Sequence, residues 1–304
     1  MLDLPVHHFR AVTHDGQFHA DDVLAAAILT LYRADRFGLD TIFTRTRDPD
    51  VIRNAHFVFD VGHRYSPTEH RYDHHQREFS LSRGNGIQYA SAGLVWMSLG
   101  NLMCGPDVVE EVDRLLLAAV DATDNGQHLH GPPAFLDVRA MTVSGLIHGF
   151  NPMWDEVPNY DYAFEKAVRF AHELLVRTIA RARSSLAATP HARGKLLTRE
   201  HPKFVVLDRY IPWTEAAYEH DELLYVVFPA TTSSTWNIQA VTKERGSPTC
   251  KRPFPESWWG LEGDALSHLI HADAVFCHRS GFIAGAKTRE AALDMVKLAL
   301  MPRN

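Results

Sequence analysis

Cysteine is nearly absent from this sequence. The three present, Cys104, Cys250 and Cys277, lie far apart and form no CxxC pair. That excludes a disulfide framework and a cysteine-rich zinc site, and it fits a reducing cytoplasm. No uninterrupted apolar run approaches the roughly 18 residues that span a bilayer, and the start MLDLPVHHFR lacks the apolar stretch of a signal peptide. The expectation is a soluble, untargeted cytoplasmic protein without a membrane partner. Excess positive charge is missing too: 31 Lys and Arg stand against 37 Asp and Glu, for a net charge of −6. A surface that is basic all round is thereby excluded, although a local basic groove is not. The sequence shows no tandem repeat, no low-complexity tract and no GxSxG elbow, which sets aside solenoids, propellers and serine-triad hydrolases.

What is present is an ordinary globular composition, 45% hydrophobic and 22% charged, with 19 histidines in 304 residues. Histidine is the commonest metal ligand and a frequent acid or base, so composition already points to chemistry. At about 150 residues per domain the length suggests two domains.

Apolar strands alternate with amphipathic helices. Residues 9–13 (FRAVT) read as a strand, followed by the polar loop HDGQFHADD and the apolar helix VLAAAILTLYRA, which Asp21 or Asp22 can cap. A second strand at 56–61 (HFVFDV) leads into a polar cluster. Helical spacing returns at 90–99 and at 108–120, and a long helix is signalled over 160–185. The stretch TPHARGK at 189–195 has the composition of a linker, and the strands KFVVLDRY, LLYVVFP, TWNIQAV and AVFCH follow it, with a helix at 288–301 that docks on them. The expected fold is α/β: a mainly parallel sheet with helices on both faces over 1–188, and a smaller α+β domain over 189–304. Ligands gather beyond the carboxyl ends of such strands, where the polar clusters fall.

Three clusters carry the chemistry. THDGQFHADD offers His14, His19 and Asp21 as ligands, a donor set suited to Mn²⁺, whereas Mg²⁺ prefers an all-oxygen shell. In FVFDVGHRYSPTEHRYDHHQREF, Asp60 ends a strand and is placed to bridge two cations. Of the adjacent His74 and His75, one can bind metal while its neighbour faces substrate, and Asp73 can accept the second ring N–H of a ligating histidine. His63, His70 and Arg71 are read as a surface turn. In VDATDNG, Asp121 and Asp124 end a helix, where the dipole opposes negative charge unless a cation compensates it. Asp124 can bond its own turn, so Asp121 is the favoured ligand. Two metals held this way make hydrolysis of phosphate esters or anhydrides the natural reaction class.

THDGQFHADD, Asp60, the DHH at 73–75 and VDATDNG resemble the ordered motifs of the DHH phosphoesterase superfamily. The longer strings RYDHHQREF, YASAGLVW, WNIQAV, PFPESWWGL and FCHRSGFIAGAKTREAAL are similar to the melanocyte-proliferating-gene-one exonuclease family. The resemblance runs from about residue 9 to 298. It implies a two-domain enzyme dependent on Mn²⁺ or Mg²⁺, acting on RNA or short oligonucleotides as a 3′–5′ exonuclease. It further implies that His14 and Asp60 form the first metal site, that Asp21, His74 and Asp121 form the second with Asp60 shared, and that His75 is the substrate-facing group; His75 and Asp73 are the catalytic candidates. His19 stands where superfamily relatives commonly carry Asp, so a weaker first site or a single metal is the alternative.

The GGGH string of many DHH enzymes is absent. FCHRSGF is the candidate replacement, with His278, Ser280, Gly281 and Lys287 holding phosphate, against the alternative of a plain strand–turn–strand connection. Arg252, in the densest basic stretch, is the best further substrate contact, with Trp258 and Trp259 after it either stacking on bases or packing in the core. Competing readings are a phosphatase or phosphodiesterase on small nucleotides or phosphoanhydrides, and a metal- or nucleotide-binding protein without turnover. A homodimer is compatible with the sequence.

Overall fold

The computed structural model describes residues 9–129, 131 and 140–302; the first eight, part of the start read above for a signal segment, lie outside them. The chain divides into two compact units, Met1–Arg183 and Ser184–Asn304.

The first unit opens with β1 (Ala11–Thr13), α1 (Ala20–Phe37), β2 (Phe43–Arg45), α2 (Pro49–Arg53) and β3 (Phe57–Phe59). Two short strands follow, β4 (Tyr65–Ser66) and β5 (Arg71–Tyr72), and then α3 (Ser91–Cys104). Next come α4 (Pro106–Val112), a π-helical turn (Asp113–Leu117), α5 (Ala118–Asp124), α6 (Val143–His148) and α7 (Tyr160–Leu197). Its strands run in the order β2-β1-β3-β5-β4. All neighbours are parallel except β4, which runs antiparallel to β5 at the edge.

Strand alternation decides which face each side chain meets. Ala11, Phe57 and Phe59 enter the main core with the buried residues of α1, α3 and α7, while Val12 and Val58 face the other way, onto Val51 and Ile52 of α2. The sheet is therefore covered unequally, by a thick helical layer on one face and a five-residue helix on the other. α1 is buried almost all round from Ala20 to Leu29, and it stops at Gly38, whose positive φ suits the left-handed cap.

The second unit contains the end of α7 and then β6 (Phe204–Val206), α8 (Thr214–Ala217), β7 (Tyr225–Pro229) and β8 (Trp236–Ala240). α9 (Gly263–Ile270), β9 (Ala274–Cys277), β10 (Ile283–Ala286) and α10 (Arg289–Leu300) complete it. Its mixed sheet has the order β6-β7-β8-β10-β9, with β6 and β7 parallel and the remaining pairs antiparallel. Tyr225 and Val227 pack with Ile238, Phe254 and Met295, and Val226 and Phe228 pack with Ala192, Leu196 and Trp213.

The stretch TPHARGK is helical and belongs to α7, which runs on past Ser185 with Pro190 inside it. Proline costs that helix a backbone hydrogen bond. Burial of Ala192 and Leu196 against Val205, Leu207 and Trp213 holds the helix beyond it. The 108–120 segment is helical as its spacing indicates, running through α4, the π turn and α5 with right-handed helical backbone at both junctions.

Candidate metal centre

From β1 the chain moves outward to β2 and returns to the opposite side of β1 as β3. That reversal opens a crevice at the carboxyl ends of β1 and β3. His14 directly follows β1, Asp60 directly follows β3, and Asp73, His74 and His75 directly follow β5. These strand-following groups thus reach one place because parallel strands end on one side.

Asp60 is buried, at 5% exposure, and has φ +53°, in the left-handed region. For a residue with a side chain that conformation costs about 1–2 kcal/mol. It is held by the Asp60 N–H, which donates to Tyr72 O at 3.2 Å.

The two carboxylate oxygens of Asp60 look to different partners. Oδ2 lies 3.4 Å from His14 Nε2, which is also 3.4 Å from Asp22 Oδ2. Oδ1 lies 3.5 Å from His74 Nε2, which is in turn 3.7 Å from Asp21 Oδ2 and 3.2 Å from Asp124 Oδ2. Three donor groups of metal-binding spacing result: His14, Asp22 and Asp60; Asp21, His74 and Asp124; and Asp60, His74 and His75. Asp60 is the member common to the first and third of these.

Hydrogen bonds leave particular atoms for a cation. His14 Nδ1 is 2.9 Å from the Asp15 carbonyl, which can only accept, so Nδ1 carries the proton and Nε2 offers its lone pair in the neutral ring. Asp22 Oδ1 accepts from the N–H groups of His19 and Val23, at 2.8 and 3.0 Å. Its Oδ2, like His74 Nε2, is buried without a hydrogen-bond partner. Orphaned buried polar atoms are costly. These two, on either side of a shared carboxylate, lie in donor groups that could bind metal ions.

His75 is held differently. Asp73 Oδ1 accepts from both the His75 N–H, at 3.0 Å, and its ring Nδ1, at 2.8 Å, while Asp73 Oδ2 accepts from the His63 N–H at 2.6 Å. Asp73 is buried and the His75 side chain is half exposed. The ring is thereby oriented with Nε2 left for other partners.

The amino end of α3 organises the remaining acids. Its first three N–H groups lack helical partners. Ser91 and Ala92 donate to the two oxygens of Asp21, at 2.9 and 2.6 Å, and Gly93 donates to Asp121 Oδ1 at 3.1 Å. The helix dipole favours anions there. Asp121 Oδ2 accepts from Arg83 at 2.8 Å, and Arg83 also grips Asp113 through two bonds of 2.7 and 2.6 Å.

The side chains set one another's charge. Burial opposes protonation of His14, but hydrogen bonding to Asp60 and the charges of Asp22 and Asp60 outweigh it and push its pKa up to about 9. His74 is likewise raised to about 11 against burial, by Asp124 and Asp60. Burial raises Asp21 and Asp22, the latter to about 7, with Asp60 adding to both. Asp60 stays well below the ordinary carboxylate range: burial pulls it upward, and the adjoining His14 and His74 imidazoles prevail. His75 is raised chiefly by its bond to Asp73.

Of the residues singled out in the sequence, the structure brings His14, Asp21, Asp60 and His74 together and sets His75 beside them. His19 is exposed at the amino end of α1, its ring 6.0 Å from that of His14, and it belongs to none of the three donor groups. Asp121 is committed to Gly93 and Arg83, and the carboxylate beside His74 is that of Asp124. Asp73 supports His75 rather than a buried ligand. In the second unit, Arg252 donates to the carbonyls of Ala299 and Met301 at the end of α10, at 3.1 and 2.6 Å. Lys287 faces Asp273 at 3.8 Å. His278, Ser280 and Gly281 form the β9–β10 turn, in which the Ser280 N–H donates to His278 Nδ1 at 3.1 Å. Gly281 has φ +61° and lies against Trp259, where a Cβ would come within 2.1 Å of the indole nitrogen. Trp258 is core. Asp22 and Asp124 were visible only as neighbours of favoured acids. Arg45, Arg83, Gly93 and Asn151 carried no local signal, because their partners are distant in the chain.

A two-unit α/β protein with a buried histidine–aspartate centre at a strand switch point is the class these features define. The chain belongs to the MYG1 exonuclease family, whose model, described as an uncharacterised protein family (UPF0160), matches residues 10–300. It is 33% identical to human MYG1 exonuclease, over 97% of this chain and 86% of that one. Its identity to the MYG1 protein of Schizosaccharomyces pombe is 31%, over 97% and 98%. A MYG1 protein of Chlamydia trachomatis is 32% identical over 95% of each chain. Among the described residues no helix is long and apolar enough to cross a membrane.

Proposed function

We propose that this protein is a metal-dependent phosphodiesterase that shortens RNA or short oligonucleotides as a 3′–5′ exonuclease. The observation that carries the reading is the pair of buried atoms Asp22 Oδ2 and His74 Nε2, which make no hydrogen bond yet sit among other histidine and aspartate donor atoms on either side of Asp60. His14, Asp22 and Asp60 would hold one Mn²⁺ or Mg²⁺, and Asp21, His74, Asp124 and Asp60 a second. Bound there, such ions lower the pKa of water and offset the charge that builds at phosphorus.

The chain's own residues supply the rest. Asp73 fixes the ring of His75 and favours its protonated form, so His75 can donate a hydrogen bond to a phosphoryl oxygen or a proton to a leaving oxygen. Burial of Asp21, Asp22 and Asp60 keeps water from competing for their charge. The cleft in front of the centre has a volume of about 1350 Å³ and is walled in part by Arg47, Arg53, Arg64 and Arg71. That exceeds the roughly 300–1,000 Å³ of small-ligand pockets, which favours an extended substrate over a small phosphate ester. A relative named MYG1 exonuclease supports the same class. The free Cys104, Cys250 and Cys277 fit work in a reducing cytoplasm.

The test compares 5′-labelled RNA with cyclic dinucleotides and small phosphate esters, each with added Mn²⁺. Stepwise shortening of the RNA is expected. Mn²⁺-loaded protein that cleaves only the small esters would replace this substrate class, and loaded protein inert on all three would leave a binding protein.

A further inference from the structure

The loop between β1 and α1 carries His14 at one end and leads into Asp21 and Asp22 at the other, so its shape sets the distances within the centre. Three distant side chains hold it. Arg47 donates to Asp15 O at 2.9 Å. Arg45, at the end of β2, donates to Gly16 O at 2.7 Å and to Asp161 at 3.1 Å, with its guanidinium over the rings of Phe18 and Phe164. Asn151 makes the third attachment. Its Oδ1 accepts from the Phe18 N–H at 3.1 Å and its Nδ2 donates to Phe18 O at 2.9 Å, across 133 residues of chain.

The planar amide presents a donor and an acceptor side by side, so it answers one residue's N–H and C=O together, as a neighbouring strand would. Asn151 is 8% exposed. Phe18, fully buried against Phe164 with ring centroids 5.7 Å apart, fixes the point that the amide grips. The same residue also closes α6: the Asn151 N–H and Nδ2 both donate to His148 O, at 3.0 and 3.2 Å. Ser144, Gly145 and His148 of α6 line the cleft. One side chain thus ties a wall of the cleft to the loop that bears the ligands.

We infer that Asn151 is a positioning residue, a clasp that holds the loop of residues 14–19 in its metal-binding shape and couples it to α6. The inference rests on the proposed metal centre. It needs no contact between Asn151 and either metal or substrate.

Asn151→Asp is the discriminating variant, because it keeps size and the acceptor for the Phe18 N–H but sets carboxylate oxygen against the carbonyls of Phe18 and His148. Asn151→Ala removes the clasp altogether. Mn²⁺ affinity of the full chain, measured by calorimetry, should fall about tenfold or more in both, with kcat falling similarly and KM changing less than about threefold. Folded variants that melt lower yet bind Mn²⁺ and turn over like the parent would overturn the inference. Should neither variant fold, hydrogen exchange in the parent decides: the Phe18 amide should exchange as slowly as a core amide, and fast exchange would overturn the clasp. A parent that binds no Mn²⁺ would instead end the metal reading, and Phe18 exchange would still judge the clasp.

Discussion

At the scale of single residues, Asp60 bears two demands that usually conflict. It holds a left-handed backbone, and it carries a charge with two buried imidazoles to answer. Asparagine tolerates that backbone about as well as aspartate does, so Asp60→Asn separates charge from conformation. The variant should fold normally and lose about a hundredfold or more in kcat. Full activity with a parent-like melt would remove Asp60 from the centre. Asp121 and Asp124 offer a second separation, since both lie on α5 but only Asp124 faces His74. Asp124→Asn should spare the fold and lower metal affinity. Asp121→Asn weakens the buried pair with Arg83 and should cost on the order of 3 kcal/mol in stability. Denaturant melts and metal titrations on both variants check this, and the reverse assignment of effects would make Asp121 the ligand.

At the scale of elements, the amino end of α3 is the joint on which the acids are set. Gly93 sits there because a Cβ would lie 1.9 Å from Asp121 Oδ2 and 2.7 Å from Arg83 Nη2. Gly93→Ala must push Asp121 and Arg83 aside, which should destabilise the chain by about 1–3 kcal/mol. Thermal melts that leave Gly93→Ala beside the parent would mean that the joint yields freely. The same joint shows what the sequence could reveal. β1, α1 and β3 were legible because an apolar run ending in a dense polar cluster is a local signal, and it carried His14, Asp21 and Asp60 with it. β2, β4 and β5 were not, since two or three residues without alternation become a strand only through the strand beside them. The choice between Asp121 and Asp124 was equally hidden. It is made by Gly93 and Arg83, 28 and 38 residues away. The reach of α7 past Pro190 depends on a core formed by later strands.

For the whole molecule, the centre links folding to pH and to metal. The folded chain holds protons on His14 and His74 with pKa values of about 9 and about 11, against 6.5 for a free imidazole. Asp22 and Asp121 are raised to about 7 from 3.8. All four bind protons more tightly folded than unfolded. Their contribution to stability is therefore complete below the unfolded values and drains away as pH rises, first through about 7 and then through about 9 to 11. Asp60 runs the other way, but its folded pKa lies so far down that it adds no slope in this window. In the proposed centre a divalent cation would take the place of the protons on His14, His74 and Asp22, so its binding would release protons and strengthen as pH rises. Saturating Mn²⁺ should accordingly raise Tm more at about pH 8.5 than at about pH 6, and calorimetry in two buffers of different ionisation enthalpy should register the released protons. Equal Tm increments at the two pH values, with no buffer dependence of the binding heat, would place the bound ion away from His14 and His74.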